Sequence, residues 1–431
     1  MSLVSELAER GHAVATGRVP AAVLAAARAH LTDTVAAVVA GYTTLRAPAA
    51  RLADARGLAP PARTAFTGGV YAGAWEVAGI HRGAVLCPGC VVLPAMLAAL
   101  ELRPSASGEE VLRAYLAGYE VALAAALSVG GDRLIELGWW PTALVAPLGG
   151  AAAASILLGK PVPAIASAIA LAAQQAGGSV AGTTADADGR YLLSGLAAER
   201  AVTAVLTAGS GWRGPLDVLD DPRSPLRRRR NPPEPFLLPE TSLKAHAGAK
   251  HMQAALDALS AMDDEVRGIR CALPGPLVRA VDRPPPFRSP LHALASAQYM
   301  LAVAALRGRC TPWEFDAASL TDPRITGLAR RVEVVADEEL SRAYPVSWGA
   351  RLEIATHSGT VRLERHHARG DPGHELSTGE LLRKAVTLAG PALGDEAARG
   401  LASALLDTTP AAVLTEQVLP LLRPQLARQE A

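Results

Sequence analysis

At 431 residues, half of them apolar and only 4% aromatic, the chain is long enough for two or three domains, and its alanine and leucine content favours close-packed helices over an all-β fold. A net charge of +1 excludes a global field for nucleic acid or anionic lipid. Four cysteines, Cys87, Cys90, Cys271 and Cys310, exclude a disulfide-dense framework.

The opening Ser2-Leu3-Val4-Ser5-Glu6 reads as helix at once, with no secretion signal, so a cytoplasmic location is expected. Helical spacing then predicts a helix over Ala22–Ala40 and a turn-rich passage from Arg51 to Arg63. Further helices are predicted over Val91–Leu100, Leu112–Leu127, Leu144–Leu158, Ile165–Gln175 and Gly195–Leu206. Ala143–Leu158 and Ala164–Ala173 are apolar enough to suggest membrane spans. They are short for a bilayer and broken by Gly149-Gly150, Lys160, Pro161 and Pro163, so buried helices are expected and no membrane contact.

Pro215–Pro239 predicts a boundary or a long surface crossing. Its Arg227–Arg230 run reads as a solvated linker, with an anion-binding patch as the alternative. Helix resumes over Lys250–Met262. Strands are predicted over Val266–Ala272, Arg331–Val334, Ala350–Thr356 and Gly359–Arg365, with helices over Ser289–Ala304 and Thr378–Leu388, then a helical end over Gly400–Leu422. The expected fold is mainly α with a smaller α+β domain. A large helical domain covers 1–265, the α+β domain 266–398, and 399–431 returns to the helical domain.

Taken in order, several blocks resemble the MmgE/PrpD family: Cys87-Pro88-Gly89 with Leu93-Pro94-Ala95, Gly118-Tyr119-Glu120-Val121, Gly138-Trp139-Trp140-Pro141-Thr142, Arg190 to Gly195, Gly211 to Pro215, Ser242-Leu243-Lys244 through His251 and Asp257, Ser296 through Tyr299, and Gly370-Asp371-Pro372 with Leu376-Ser377 and Lys384. The family includes 2-methylcitrate dehydratase, cis-aconitate decarboxylase and iminodisuccinate epimerase. The resemblance implies a large helical domain, an α+β lid and a site between them, usually in a dimer. It also implies proton transfer beside a carboxylate without a cofactor.

The chain departs from the family pattern where that chemistry resides. The family's His-Pro-Gly is Cys87-Pro88-Gly89, its aspartate-rich stretch is Glu76 to His81, its Gly-aromatic-His is Gly138-Trp139-Trp140, and a family lysine is Arg190. Lys244 and Tyr299 match in kind.

The residues themselves leave several readings open. Cys87 stands before a helix that Pro88 opens, where the helix terminus favours a thiolate; it reads as nucleophile, base or simply a buried thiol. Cys-Pro-Gly-Cys also has redox spacing, but one such pair supplies only two metal ligands, so no metal or cofactor is expected. His81 is the leading acid/base candidate, with Glu76 to orient or replace it, against a structural histidine. Arg190 and Lys244 suit an anionic substrate, with Arg82 and His246 as further binding candidates. Tyr299 is an oxyanion donor or a core tyrosine. Trp139 and Trp140 are flat walls for a larger substrate, or plugs.

These features point to a cofactor-independent enzyme acting on a small organic anion, carboxylate or sulfate, in a specialised or natural-product pathway. Elimination, isomerisation or ring closure by internal displacement (lyase, isomerase or cyclase chemistry) is expected. Alternatives are a non-catalytic or partner-dependent subunit, and a conventional dehydratase or decarboxylase. A homodimer or a heterodimer with a pathway subunit is expected.

Overall fold

The computed structural model describes residues 1–181, 187–260, 262, 264–408 and 410–423. The fold is mainly α, with a smaller strand-containing region, as the sequence predicts.

The helical layer comprises α1 (Leu3–Thr16), α2 (Ala21–Ala55), α3 (Ala62–Gly73), α4 (Gly89–Leu102), α5 (Gly108–Val129), α6 (Gly131–Glu136), α7 (Pro141–Leu157), α8 (Val162–Gln174) and α9 (Leu192–Gly209). Helix α2 continues past its predicted end at Ala40, with Ala49 and Ala53 buried, and takes in the first residues of the predicted turn-rich passage. It ends at Ala55, and Gly57, with φ +63°, lies in the turn that follows. Helix α5 starts at a reciprocal cap: the Glu110 N–H donates to Ser107 Oγ (3.2 Å) and the Ser107 N–H donates to Glu110 Oε2 (2.8 Å).

Helices α5 and α7 meet with their backbones in contact. A Cβ on Gly149 would lie 2.2 Å from the Gly118 carbonyl oxygen, and one on Gly118 would lie 2.6 Å from Ala153 Cβ. No side chain fits that crossing. Gly149→Val should therefore cost about 1–3 kcal/mol or more by overpacking, read as a lower midpoint in urea unfolding.

The apolar runs 143–158 and 164–173 fall mainly on α7 and α8, both largely buried. By length and composition alone, three other stretches could cross a membrane: Ala21–Ala55, Gly108–Val129 and Asp188–Gly209. The apolar window of Gly108–Val129 is 89% buried within the protein, so its hydrophobicity is accounted for by the bundle core.

The proline-rich stretch is a crossing tied to the bundle. Buried Glu120 accepts the Leu237 and Leu238 N–H groups at 2.7 and 2.9 Å. Within the arginine run, Arg228 pairs with Glu6 (2.9 Å) and Asp220 (2.7 Å), and Arg230 Nε donates to the Leu127 carbonyl at 2.5 Å. The run is thus partly a clamp on the bundle.

Beyond it, a short 3-10 turn, Lys250–Met252, leads into α10 (Gln253–Leu259). Four strands follow: β1 (Val266–Pro274), β2 (Val332–Asp337), β3 (Ala350–Thr356) and β4 (Thr360–Arg365), in the order β2-β1-β3-β4. Strands β1 and β2 are parallel, with Ile269 opposite Val332; β1 with β3 and β3 with β4 are antiparallel. Ala350, Leu352, Ile354 and Thr356 bury one face of β3, which fixes its register.

The single helix predicted over Ser289–Ala304 is broken. Ser296 caps a separate α11 (Ala297–Arg307), accepting the Tyr299 N–H at 3.1 Å and donating to the Arg283 carbonyl at 2.6 Å. Helices α12 (Thr378–Leu393) and α13 (Asp395–Asp407) both pack along α2, so the return to the helical layer begins before residue 399.

Candidate active site

The loop between α3 and α4 carries Glu76, one of two non-glycine residues with positive φ among those described. This loop is stitched to the crossing segment, because Ile80 and Ser242 exchange backbone hydrogen bonds of 2.9 Å. That stitch brings Lys244 under the loop. Its Nζ donates to the Glu76 carbonyl at 2.5 Å and to the Gly248 carbonyl at 3.4 Å. Arg190, from the 3-10 turn Asp188–Tyr191 ahead of α9, forms an ion pair with the Glu76 carboxylate, and its guanidinium lies 5.4 Å from the centre of the Trp140 ring.

Burial pushes the Glu76 carboxyl up, but Arg190, Lys244, His251 and Arg283 outweigh it and hold the group below the ordinary carboxylate range. The carboxylate is therefore ionised. His251 belongs to the same cluster: burial, reinforced by Lys244, Lys250 and Arg283 and opposed by Glu76, pushes its ring down to about 4. The ring packs 5.1 Å from Trp348, and Nδ1 is buried with no hydrogen-bond partner among the described residues. One ionised carboxylate, three formal cations (Arg190, Lys244 and Arg283) and a neutral imidazole thus share one electrostatic neighbourhood. That set can hold an anion and exchange a proton.

Cys87 stands in this cluster with its N–H donating to Thr142 Oγ1 at 3.2 Å. Of the readings of Cys87, the environment favours the buried neutral thiol. Burial pushes the thiol up and Glu76 adds to it, beyond what Lys244, Arg190 and Thr142 recover. Alkylation of native Cys87 by iodoacetamide at about pH 7.5 should therefore be slower than that of a free thiol, as measured by mass spectrometry of the modified peptide. Cys90 is buried with Sγ 3.5 Å from the Ala72 carbonyl, and all four cysteines are free. The described residues hold no group of three or more His, Cys, Asp or Glu side chains placed for a metal ion.

Other candidates lie elsewhere. His81 closes its own turn: Nδ1 accepts the Ala84 N–H at 3.0 Å, and Nε2 lies 3.5 Å from Glu240. No hydrogen bond or ion pair joins it to Glu76 or Cys87 among the described residues. Arg82 lies 3.5 Å from buried Asp371, which also pairs with Lys250. The Tyr299 hydroxyl donates to the Glu314 carbonyl at 2.5 Å, with the ring between Phe287 and Phe315, as a satisfied core tyrosine does. His246 is bound to Asp257 at 2.9 Å. Trp139 turns from its neighbour and lines a groove with Val218 and Leu226. The two indoles therefore do not form one wall.

Sequence reasoning did not put His251 or Arg283 among the candidate site residues. The family block that runs from Ser242 through His251 to Asp257 contained the first signal. Nothing local marked the second, which comes from the lid.

Behind the loop, Lys384 of α12 forms a buried ion pair with Asp33 of α2 and donates to the Val77 carbonyl at 2.9 Å. The neighbouring His30 ring is pushed down to about 3 by burial and Lys384. His30 and His251 are thus neutral when folded, whereas unfolded histidines titrate near about 6.5. Their stability contribution is complete above about pH 6.5. It falls as the pH drops toward 4, because only the unfolded chain takes up the proton there. His251→Gln should flatten this slope in urea unfolding measured across that range.

Two family models match the chain: the MmgE/PrpD N-terminal domain over residues 5–228 and the MmgE/PrpD C-terminal domain over residues 246–408. A segment of 114 residues is 29% identical to 2-methylcitrate dehydratase, mitochondrial, of Yarrowia lipolytica. It covers 25% of this chain and 21% of that relative. With both domain models matched in order over most of its length, the chain belongs to the MmgE/PrpD family.

Proposed function

We propose that the chain is a cofactor-independent enzyme acting on a small organic anion by proton transfer at the Glu76 cluster. The observation that carries this reading is the ionised Glu76 carboxylate paired with Arg190, with the Lys244 ammonium on the Glu76 main-chain carbonyl and a neutral His251 with an unpartnered Nδ1 in the same cluster. In the resting site Glu76 occupies the Arg190 fork. A substrate carboxylate or sulfate takes that fork over, since it presents the same oxygens. Glu76 then loses its strongest counter-ion and becomes a better base. His251 Nδ1 is the second proton acceptor, and Lys244 and Arg283 stabilise charge that develops on a departing or enolic oxygen.

Trp140 offers a flat apolar face under the guanidinium, which favours a substrate with more carbon surface than a small tricarboxylate. Elimination, isomerisation, or ring closure with loss of an anionic group all fit this donor set, and the last suits a specialised biosynthetic pathway.

The test is a panel of small carboxylates and sulfate esters, 2-methylcitrate and aconitate included, incubated with enzyme in deuterated water and followed by proton NMR. Deuterium entry or product formation with one member, lost in Glu76→Gln, is expected. Turnover that survives both Glu76→Gln and Arg190→Gln would place the chemistry elsewhere.

A further inference from the structure

A cavity of about 450 Å³ opens between the lid and α12. It shares segments with the Glu76 cluster: Val77 follows Glu76, and Ala245 follows Lys244, and both line this cavity. Three arginines line it, and two of them are held by their inner edges. Arg309 gives Nε to the buried carboxylate of Glu314 (2.7 Å), and Arg369 gives Nε to that of Asp257 (2.9 Å). Arg383 has no hydrogen-bond or ion-pair partner among the described residues.

The one lining carboxylate, Glu380, is already engaged. It accepts the Ser377 N–H (2.9 Å) and hydroxyl (2.7 Å) and lies 3.3 Å from Arg369 Nη1. Lys384 is committed to Asp33 and the Val77 carbonyl. Among the described residues the terminal nitrogens of Arg309 and Arg383, and one of Arg369, have no acceptor; they lie along the cavity with access to solvent, the Arg309 side chain being 67% exposed and that of Arg369 49%. Buried carboxylates behind Arg309 and Arg369 fix their planes in advance, which lowers the entropy a ligand must overcome. Val77, Pro312 and Leu388 add an apolar wall.

We propose that this cavity is an accessory binding site for a compact organic oxyanion, its charged end against the three guanidinium groups and its body against the apolar wall. The proposal does not depend on the reaction assigned to the Glu76 cluster. An occupant would press on the two segments that position Glu76 and Lys244.

The test is a fluorine NMR titration of the full chain with 4-fluorobenzoate. Saturable line broadening is expected in the millimolar range. Arg383→Gln should weaken it at least about fivefold, equivalent to roughly 1 kcal/mol. Arg309→Gln should act in the same direction, because Thr311 still satisfies Glu314 through its N–H and hydroxyl, at 2.8 and 2.7 Å, so folding survives. Arg190→Gln should leave the Arg383-dependent part of the titration unchanged. Absent saturation, a change under about twofold in Arg383→Gln, or a loss confined to Arg190→Gln would overturn the proposal.

Discussion

Glu76→Gln should lower kcat by about 10²- to 10⁴-fold and at the same time lower KM. The two effects share one cause. The carboxylate now paired with Arg190 is both the proposed base and a competitor for the substrate anion. Glutamine keeps the shape and removes the charge, so the fork is released for substrate while the proton acceptor is lost. Arg190→Gln should do the opposite to affinity, raising KM, because the anion loses its bidentate partner and Trp140 loses the cation above it. Steady-state kinetics on the substrate found by the NMR panel read this split directly. A purely structural Glu76 would give parallel losses in both variants and no fall in KM.

Asp33→Ala should lower unfolding free energy by about 3–5 kcal/mol. Asp33 has no exposed side-chain surface and Lys384 is 9% exposed, so truncation leaves a buried ammonium without its counter-charge. The double replacement Asp33→Leu with Lys384→Met should recover most of that loss, since an apolar pair needs no desolvated charge. Urea unfolding of the single and double variants measures both. A single-variant loss under about 1 kcal/mol would show that water reaches the pair. Because Lys384 also holds the Val77 carbonyl, the single variant should loosen the loop that presents Glu76.

Much of the fold was legible because the periodicity is strong. The strand over Ala350–Thr356 was placed at its observed bounds, and α5, α7 and α8 lie within a few residues of their predicted spans. The misses have local causes. Ser296 was read as helix interior when it is a cap, and alanines in a charged passage hid the second half of α2.

The site was less legible. Cys87 drew attention through the helix terminus, but burial pushes the thiol up beyond what Lys244, Arg190 and Thr142 recover. His81 was favoured for its place in the chain, and its hydrogen bond to its own turn is invisible in linear sequence. Trp139 and Trp140 read as a pair, yet backbone bonds to the Leu134 and Gly178 carbonyls fix successive residues on different surfaces.

The order of apolar and small residues by itself determined the helical layer, the four-stranded sheet and the family, since periodicity and block order are properties of the chain. The tertiary structure alone decided which charges meet. Arg190, the Lys244–His251 stretch and Arg283 come from three separated segments, and only tertiary packing sets them around Glu76. Electrostatic coupling depends on distance and desolvation, and neither is written in sequence separation.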